Sequence, residues 1–244
     1  MARSTDTTRA FISVPVIQLS IIMPVLDEAA VIAQTLASLK PLLERGAELI
    51  VVDGGSTDGT IEQAAAYGAY VLAAPRGRAL QMNAGASHAA GSKLIFLHAD
   101  TVLPHDADLL VHDALPGSAG GAICVWGRFD VSITGQSAML KVIAAMMNWR
   151  SRLTGIATGD QAIFMTQSAF AASRGFAVQP LMEDIDMSQR LLKVSRPACL
   201  HARVTTSGRR WESRGVWRTV LLMWRLRFAY WRGVSPEQLA ALYR

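Results

Sequence analysis

Four short apolar runs constrain this chain more than any other feature. Each is cut off by a charged or turn-forming residue, and each is separated from the next by a helix-length stretch. They are Leu19-Ser20-Ile21-Ile22-Met23-Pro24; Leu49-Ile50-Val51-Val52 before Asp53; Tyr70-Val71-Leu72 before Pro75-Arg76-Gly77-Arg78; and Lys93-Leu94-Ile95-Phe96-Leu97 before His98-Ala99-Asp100. Such nearly continuous apolar runs read as strands buried on both faces. Asp27 and Glu28 lead an expected helix to about Leu43, with Val31, Ile32, Leu36 and Leu39 on one face. Further helices are expected from Thr60 to Tyr67 and from about Ala79 to Ala90. Strand–helix alternation over roughly 80 residues predicts an α/β fold, a doubly wound, mostly parallel sheet with helices on both faces.

In such a sheet, ligands bind just beyond the carboxyl ends of the strands. Asp53 sits at one of those ends, in Leu49-Ile-Val-Val-Asp-Gly-Gly-Ser-Thr-Asp-Gly-Thr60. Its carboxylate can accept hydrogen bonds from a base N–H or a ribose hydroxyl, and Gly54 and Gly55 let the backbone approach a flat ligand. Thr57 or Asp58 is placed to cap the next helix. An ordinary tight turn accounts for the same residues. Arg76 and Arg78, at a helix start, form either an anion site or a solubilising surface. Asp100 suits a hard divalent cation shared with diphosphate oxygens, with His98 either as a second ligand or bonding a phosphate; a solvated strand end is the plainer reading. Glu183, Asp184 and Asp186 open a helix. Acids there favour the helix dipole, or one of them is a general base for an acceptor hydroxyl. Gly159-Asp160-Gln161 either shapes an acceptor pocket or is a polar turn.

After Asp100 the alternation loosens. Helices are expected over Asp106–Leu115, Gln136–Leu153, Ser168–Arg174 and Glu183–Leu192, and strands over Gly121–Val131, Gln161–Met165 and Ala198–Val204. From Trp211 the chain reads as helical, basic and aromatic. Arg218, Arg225 and Arg232 share one helical face beside Trp217, Leu221, Trp224, Phe228 and Trp231. That pattern fits an interfacial helix on an anionic membrane, or a packing helix whose arginines reach solvent. The formal charge of +5 favours phosphate-bearing partners, but no nucleic-acid reader motif is present. No run of 18 apolar residues suggests a membrane span. Phe11 to Leu26 is too interrupted by Pro15, Gln18, Ser20 and Pro24 for a signal peptide. The two cysteines, Cys124 and Cys199, make no disulfide framework. A cytoplasmic protein, peripheral on the inner face of the cell membrane, is the expectation.

Taken in order, these motifs resemble the family 2 glycosyltransferases of GT-A fold over about residues 19 to 211. The carriers are the Ser20–Pro24 strand, Val51–Thr60, the Gly-Arg helix start running to Asn83-Ala84-Gly85, the strand ending in Asp100, Glu183-Asp184 and Arg210-Trp211. The resemblance implies an inverting, single transfer from a nucleotide-diphosphate sugar to an acceptor hydroxyl. It implies that Asp53 contacts the base and that Asp27 and Glu28 lie near the nucleotide with Arg78. Asp100 would be the last acid of a DxD metal motif holding Mg²⁺ or Mn²⁺, Asp184 the catalytic base, and Asp160, Gln161, Glu183, Arg210 and Trp211 the acceptor side. Three positions depart from the family pattern: Gly54 replaces a second acid, His98 the first DxD acid, and Ser207 the Gln of QxxRW. The last departure argues against a processive synthase. Gly77–Asn83, Leu181–Asp184 and the Arg-Arg-Trp-Glu end are similar to a compact bacterial subgroup labelled arsenosugar-biosynthesis glycosyltransferases. The expected organisation is a flexible arm (1–18), a GT-A domain (19–211, nucleotide half to about 104, acceptor half from 105), and basic aromatic helices (212–244). Two rival readings are a nucleotidyltransferase on a similar sheet and a peripheral membrane nucleotide-sugar-binding protein without transfer activity. Val25-Leu26-Asp27-Glu28 is not the glycine-rich loop the nucleotidyltransferase needs.

Overall fold

The computed structural model describes residues 19–116 and 124–243, so the expected arm and part of the 121–131 strand lie outside the described residues. The four apolar runs form β1 (Leu19–Val25), β2 (Glu48–Asp53), β3 (Tyr70–Ala73) and β4 (Lys93–Phe96). They pair in parallel, with β1 between β2 and β4 and β3 outside β2. The register aligns Val25 with Asp53 and Asp53 with Ala73, so these three strand ends form one row. The intervening helices are α1 (Ile32–Glu44), α2 (Thr60–Ala66) and α3 (Arg78–His88).

Beyond β4, where the sequence alternation loosens, antiparallel strands join the mostly parallel sheet. The order is β3-β2-β1-β4-β7-β6-β8-β5. Here β5 is Thr101–Val102, β6 Trp126–Thr134, β7 Phe164–Thr166 and β8 Ala198–Ser207. β7 runs antiparallel between β4 and β6, and β5 antiparallel to β8. The remaining helices are α4 (Ala107–Ala114), α5 (Met139–Thr154), α6 (Gln167–Ala172), α7 (Glu183–Leu191), α8 (Arg209–Arg214), α9 (Val216–Trp231) and α10 (Pro236–Tyr243). None of the described helices is long and apolar enough to cross a membrane.

Alternation along the buried strands separates two cores. Ile21, Met23, Val51, Ile95 and Leu97 pack with Ile32, Leu36 and Leu39 of α1 on one face. Ile22, Ile50, Val52, Leu94 and Phe96 pack with Ala79, Met82 and Ala86 of α3 on the other. Gly85 lets α3 lie close against the sheet, because a Cβ there would stand 2.6 Å from Ile22 and 2.9 Å from Val52. A third cluster joins α7 to the C-terminal helices: Met182 and Ile185 are buried with Leu226 of α9 and Leu239 of α10.

Candidate active site

The site begins at the row of strand ends. Asp53 accepts backbone N–H bonds from Gly55 (3.1 Å) and Ser56 (2.9 Å), which folds the loop after β2 back on the strand. Asp27 clamps the same loop from β1: its N–H donates to Ser56 Oγ (2.9 Å), and its Oδ1 accepts from Thr57 N–H (2.8 Å). Its backbone is left-handed, with φ 53°, a region that non-glycine residues seldom occupy. Asp27 and Glu28 therefore belong to a loop and α1 starts only at Ile32, later than the expected start. Gly59, in left-handed conformation, is the N-cap of α2. Asp58 bridges loop and helix, accepting from Ala29 N–H (3.0 Å) and Thr60 N–H (3.2 Å). Its bond from the Thr60 hydroxyl, then that from Ala29, holds its carboxyl below the usual range. Glu28 lies 3.9 Å from Arg209 of α8, so the far end of the chain reaches this edge.

The Gly77–Asn83 stretch turns out to be a brace. Gln81 is buried, and its Nε2 donates to the carbonyls of Val25 and Val52 (2.8 Å each), tying the ends of β1 and β2 together. Asn83 makes a reciprocal pair with the Phe176 backbone, at 2.8 Å in both directions. Arg78 crosses to Glu183 Oε1 at 3.2 Å. Sequence reading marked Arg78 but gave no role to Gln81 or Asn83. Both lie in the Gly77–Asn83 stretch that carries part of the family resemblance, but nothing in the sequence alone shows what they bond.

Arg78, His98, Gly159, Glu183 and Asp184 line one cleft, floored by Phe96 and Phe176. Glu183 and Asp184 differ in setting. Glu183 is 3% exposed. Burial pushes its carboxyl up against the pull of Arg78, and the neighbouring Asp184 charge adds to that push. Burial also works against the Arg78 charge, but Glu183, Asp184 and Asp160 outweigh it and raise the guanidinium above its usual value. Asp184 is half-buried and faces the cleft, with Oδ2 oriented by the Gly159 N–H at 2.9 Å. Met182, just before the pair, is left-handed (φ 66°), as is Ala162 (φ 46°) after the single 3₁₀ turn Gly159–Gln161. Strain of this kind costs about 1–3 kcal/mol per residue and gathers where a site is held in a set geometry.

His98 is turned to that same turn. Its Nδ1 lies 3.4 Å from Asp160 Oδ1, and a Cβ on Gly159 would meet its Nε2 at 2.5 Å. Asp100 follows at the end of the β4 run, half-buried. Among the described residues no group of three or more His, Cys, Asp or Glu side chains gathers as a metal cage. One carboxylate nevertheless fits Mg²⁺ or Mn²⁺ bound chiefly through substrate phosphates and water. Gln161 does not face the cleft: it is fully buried, accepts from Thr158 N–H (3.2 Å) and donates to Asn148 (3.4 Å). Trp211 packs against the α1-side core, and the Arg210 side chain lies outside the described residues.

Comparisons with known proteins agree on the type of fold. The sequence model of glycosyl transferase family 2 matches residues 20–177. A curated relative, glucosyl-3-phosphoglycerate synthase of Mycolicibacterium paratuberculosis, is 36% identical over 99 residues, covering 36% of this chain and 30% of that protein. The chain thus spans less than a third of that relative's length in the match. Among solved structures, S. aureus TarS 1–349 in complex with UDP-GlcNAc superposes with a TM-score of 0.62 at 15% identity, over 78% of this chain and 58% of that one. Glucosyl-3-phosphoglycerate synthase from Mycobacterium tuberculosis, in complex with Mn²⁺, UDP and glucosyl-3-phosphoglycerate, gives 0.54 at 21% identity, over 78% and 70%. The shared architecture is the GT-A arrangement of a curled α/β sheet.

Proposed function

The chain belongs to glycosyl transferase family 2, and from that premise we propose that it transfers a sugar from a nucleotide-diphosphate sugar to an acceptor hydroxyl, once per encounter and with inversion. The observation that carries this reading is the contrast between the two adjacent acids. Glu183 is almost fully buried and paired with Arg78, whereas Asp184 is only half-buried and is oriented by a backbone N–H. A hydroxyl is a weak nucleophile at neutral pH, so a carboxylate must take its proton as it attacks the anomeric carbon. Asp184 is that base. The donor lies along the strand-end row, its base toward Asp53 and its diphosphate toward Arg78 and Asp100. Asp27 and Glu28 shape the nucleotide side, while Asp160 borders the acceptor side. A divalent cation held by Asp100 would supply charge neutralisation to the departing diphosphate. The neighbours' UDP and Mn²⁺ complexes support this donor and ion class.

Calorimetric titration of UDP tests the donor site. Asp100→Ala should weaken binding at least tenfold in Mn²⁺ and change it little in EDTA, while His98→Ala does less, since its ring is committed to the Gly159–Gln161 turn. Equal affinities of wild type and Asp100→Ala in both media would remove Asp100 from the ion.

Membrane attachment belongs to the same proposal. α9 packs inward through Leu226, Leu222 and Met223. Its aromatic stripe faces out: Trp217, Leu221, Trp224, Phe228 and Trp231 are all at least 60% exposed, with Arg218, Arg225 and Arg232 exposed beside them. An exposed Trp–Leu face edged by arginines suits an anionic bilayer at the cytoplasmic side. In flotation, the protein should rise with anionic liposomes, and less so as salt is raised. Absence from anionic and neutral liposomes alike would leave the stripe without this role.

A further inference from the structure

Two further arginines, Arg150 and Arg227, lie within reach of the Asp184 charge. Arg150 comes from the last turns of α5 and Arg227 from the inward side of α9, off the row formed by Arg218, Arg225 and Arg232. Both are half-buried. Each guanidinium lies within the field of Asp184, and Arg227 also within that of Asp160. Yet among the described residues no carboxylate stands within ion-pair distance of either. Arg150 Nη2 is buried and has no hydrogen-bond partner among the described residues.

This arrangement is costly in the protein alone. Burial first, then the like charges of Arg227 and Arg128, bring the Arg150 guanidinium down to about 10 against the pull of Asp184. Burial lowers Arg227 as well. A buried polar group without a partner usually marks a missing ligand or water, and a forked guanidinium matches the oxygens of phosphate or carboxylate. Arg78, held by Glu183, is assigned above to the donor diphosphate and not to the acceptor.

We infer that Arg150 and Arg227 form an oxyanion subsite for the acceptor, so that the molecule whose hydroxyl reaches Asp184 carries a phosphate or carboxylate group. This rests on the assignment of Asp184 to the acceptor side and deepens it by naming the acceptor class. It draws on α9, which lies outside the matched family segment 20–177.

The test titrates inorganic phosphate into the full chain, with and without saturating UDP and Mg²⁺, and repeats the titration with acetate. Wild type should bind phosphate while UDP is bound. Arg150→Gln and Arg227→Gln should each weaken phosphate at least tenfold and leave UDP within threefold. Preference for acetate over phosphate would identify the anion as carboxylate and keep the subsite. Arg227→Gln carries the test if Arg150→Gln does not fold, and Arg227→Lys should recover only part of the affinity. Phosphate binding that UDP abolishes, or that both variants retain, would overturn the subsite. If UDP fails to bind wild type, the donor assignment falls separately, and the phosphate titration without UDP still decides the arginine pair.

Discussion

Replacing Asp130 by Ala should cost about 3–5 kcal/mol of stability, the range for stripping the partner from a buried charge. Arg128 is fully buried on β6 and pairs with Asp130 through Nη1. Asp130 also holds Arg152 of α5 at 2.8 Å. Without the carboxylate, Arg128 keeps only Ser151 Oγ (3.1 Å) and the Asn148 carbonyl (3.2 Å), both neutral. The effect should reach the site, because Asn148 bonds the Val131 backbone in both directions and receives Gln161, whose turn supplies the N–H that orients Asp184. Urea denaturation of wild type, Asp130→Asn and Asp130→Ala checks this. The Asn variant should fall between the other two, since it keeps a hydrogen-bond acceptor but no charge. A loss under about 1 kcal/mol for Asp130→Ala would mean that Arg128 finds water or another partner, as exposed pairs do.

The nucleotide half of the fold was legible because buried parallel strands leave continuous apolar runs, and β1 to β4 fall within a residue or two of the runs that announced them. The second half was less so. β5 has two residues, too short for a period to register, and β7, expected over Gln161–Met165, begins only at Phe164, its place between β4 and β6 depending on partners distant in sequence. Asp27 and Glu28 look like acids of a helix start, but the left-handed turn at Asp27 commits them to the loop after β2. In α9 the exposed stripe was visible as a pattern, whereas the inward Arg227 was not. A single cation off the repeating row carries no periodic signal, and its meaning comes only from what α7 and α5 bring to it. Arg128 likewise reads as an ordinary polar position on a strand until the packing of α5 buries it.

Asp184→Asn should slow sugar transfer by about 10²–10⁴-fold, the usual contribution of a positioned general base. Asparagine keeps the size of the side chain, and its carbonyl oxygen can still accept from Gly159 N–H, so the local fold is retained. What it lacks is the capacity to take a proton from the attacking hydroxyl. Donor affinity should stay within a few-fold of wild type, because the proposed nucleotide site lies toward Asp53 and Asp100. Glu183→Gln should behave differently. It loosens Arg78 and so weakens the donor diphosphate, which lowers affinity for the donor before it lowers the rate at saturation. The decisive measurement is therefore paired: calorimetric affinity for a UDP-sugar, and the initial rate of UDP release at saturating donor, for wild type and both variants. Asp184→Asn should lose at least a hundredfold in rate with donor binding preserved. Transfer at the wild-type rate in Asp184→Asn would contradict the assignment of Asp184 as the base.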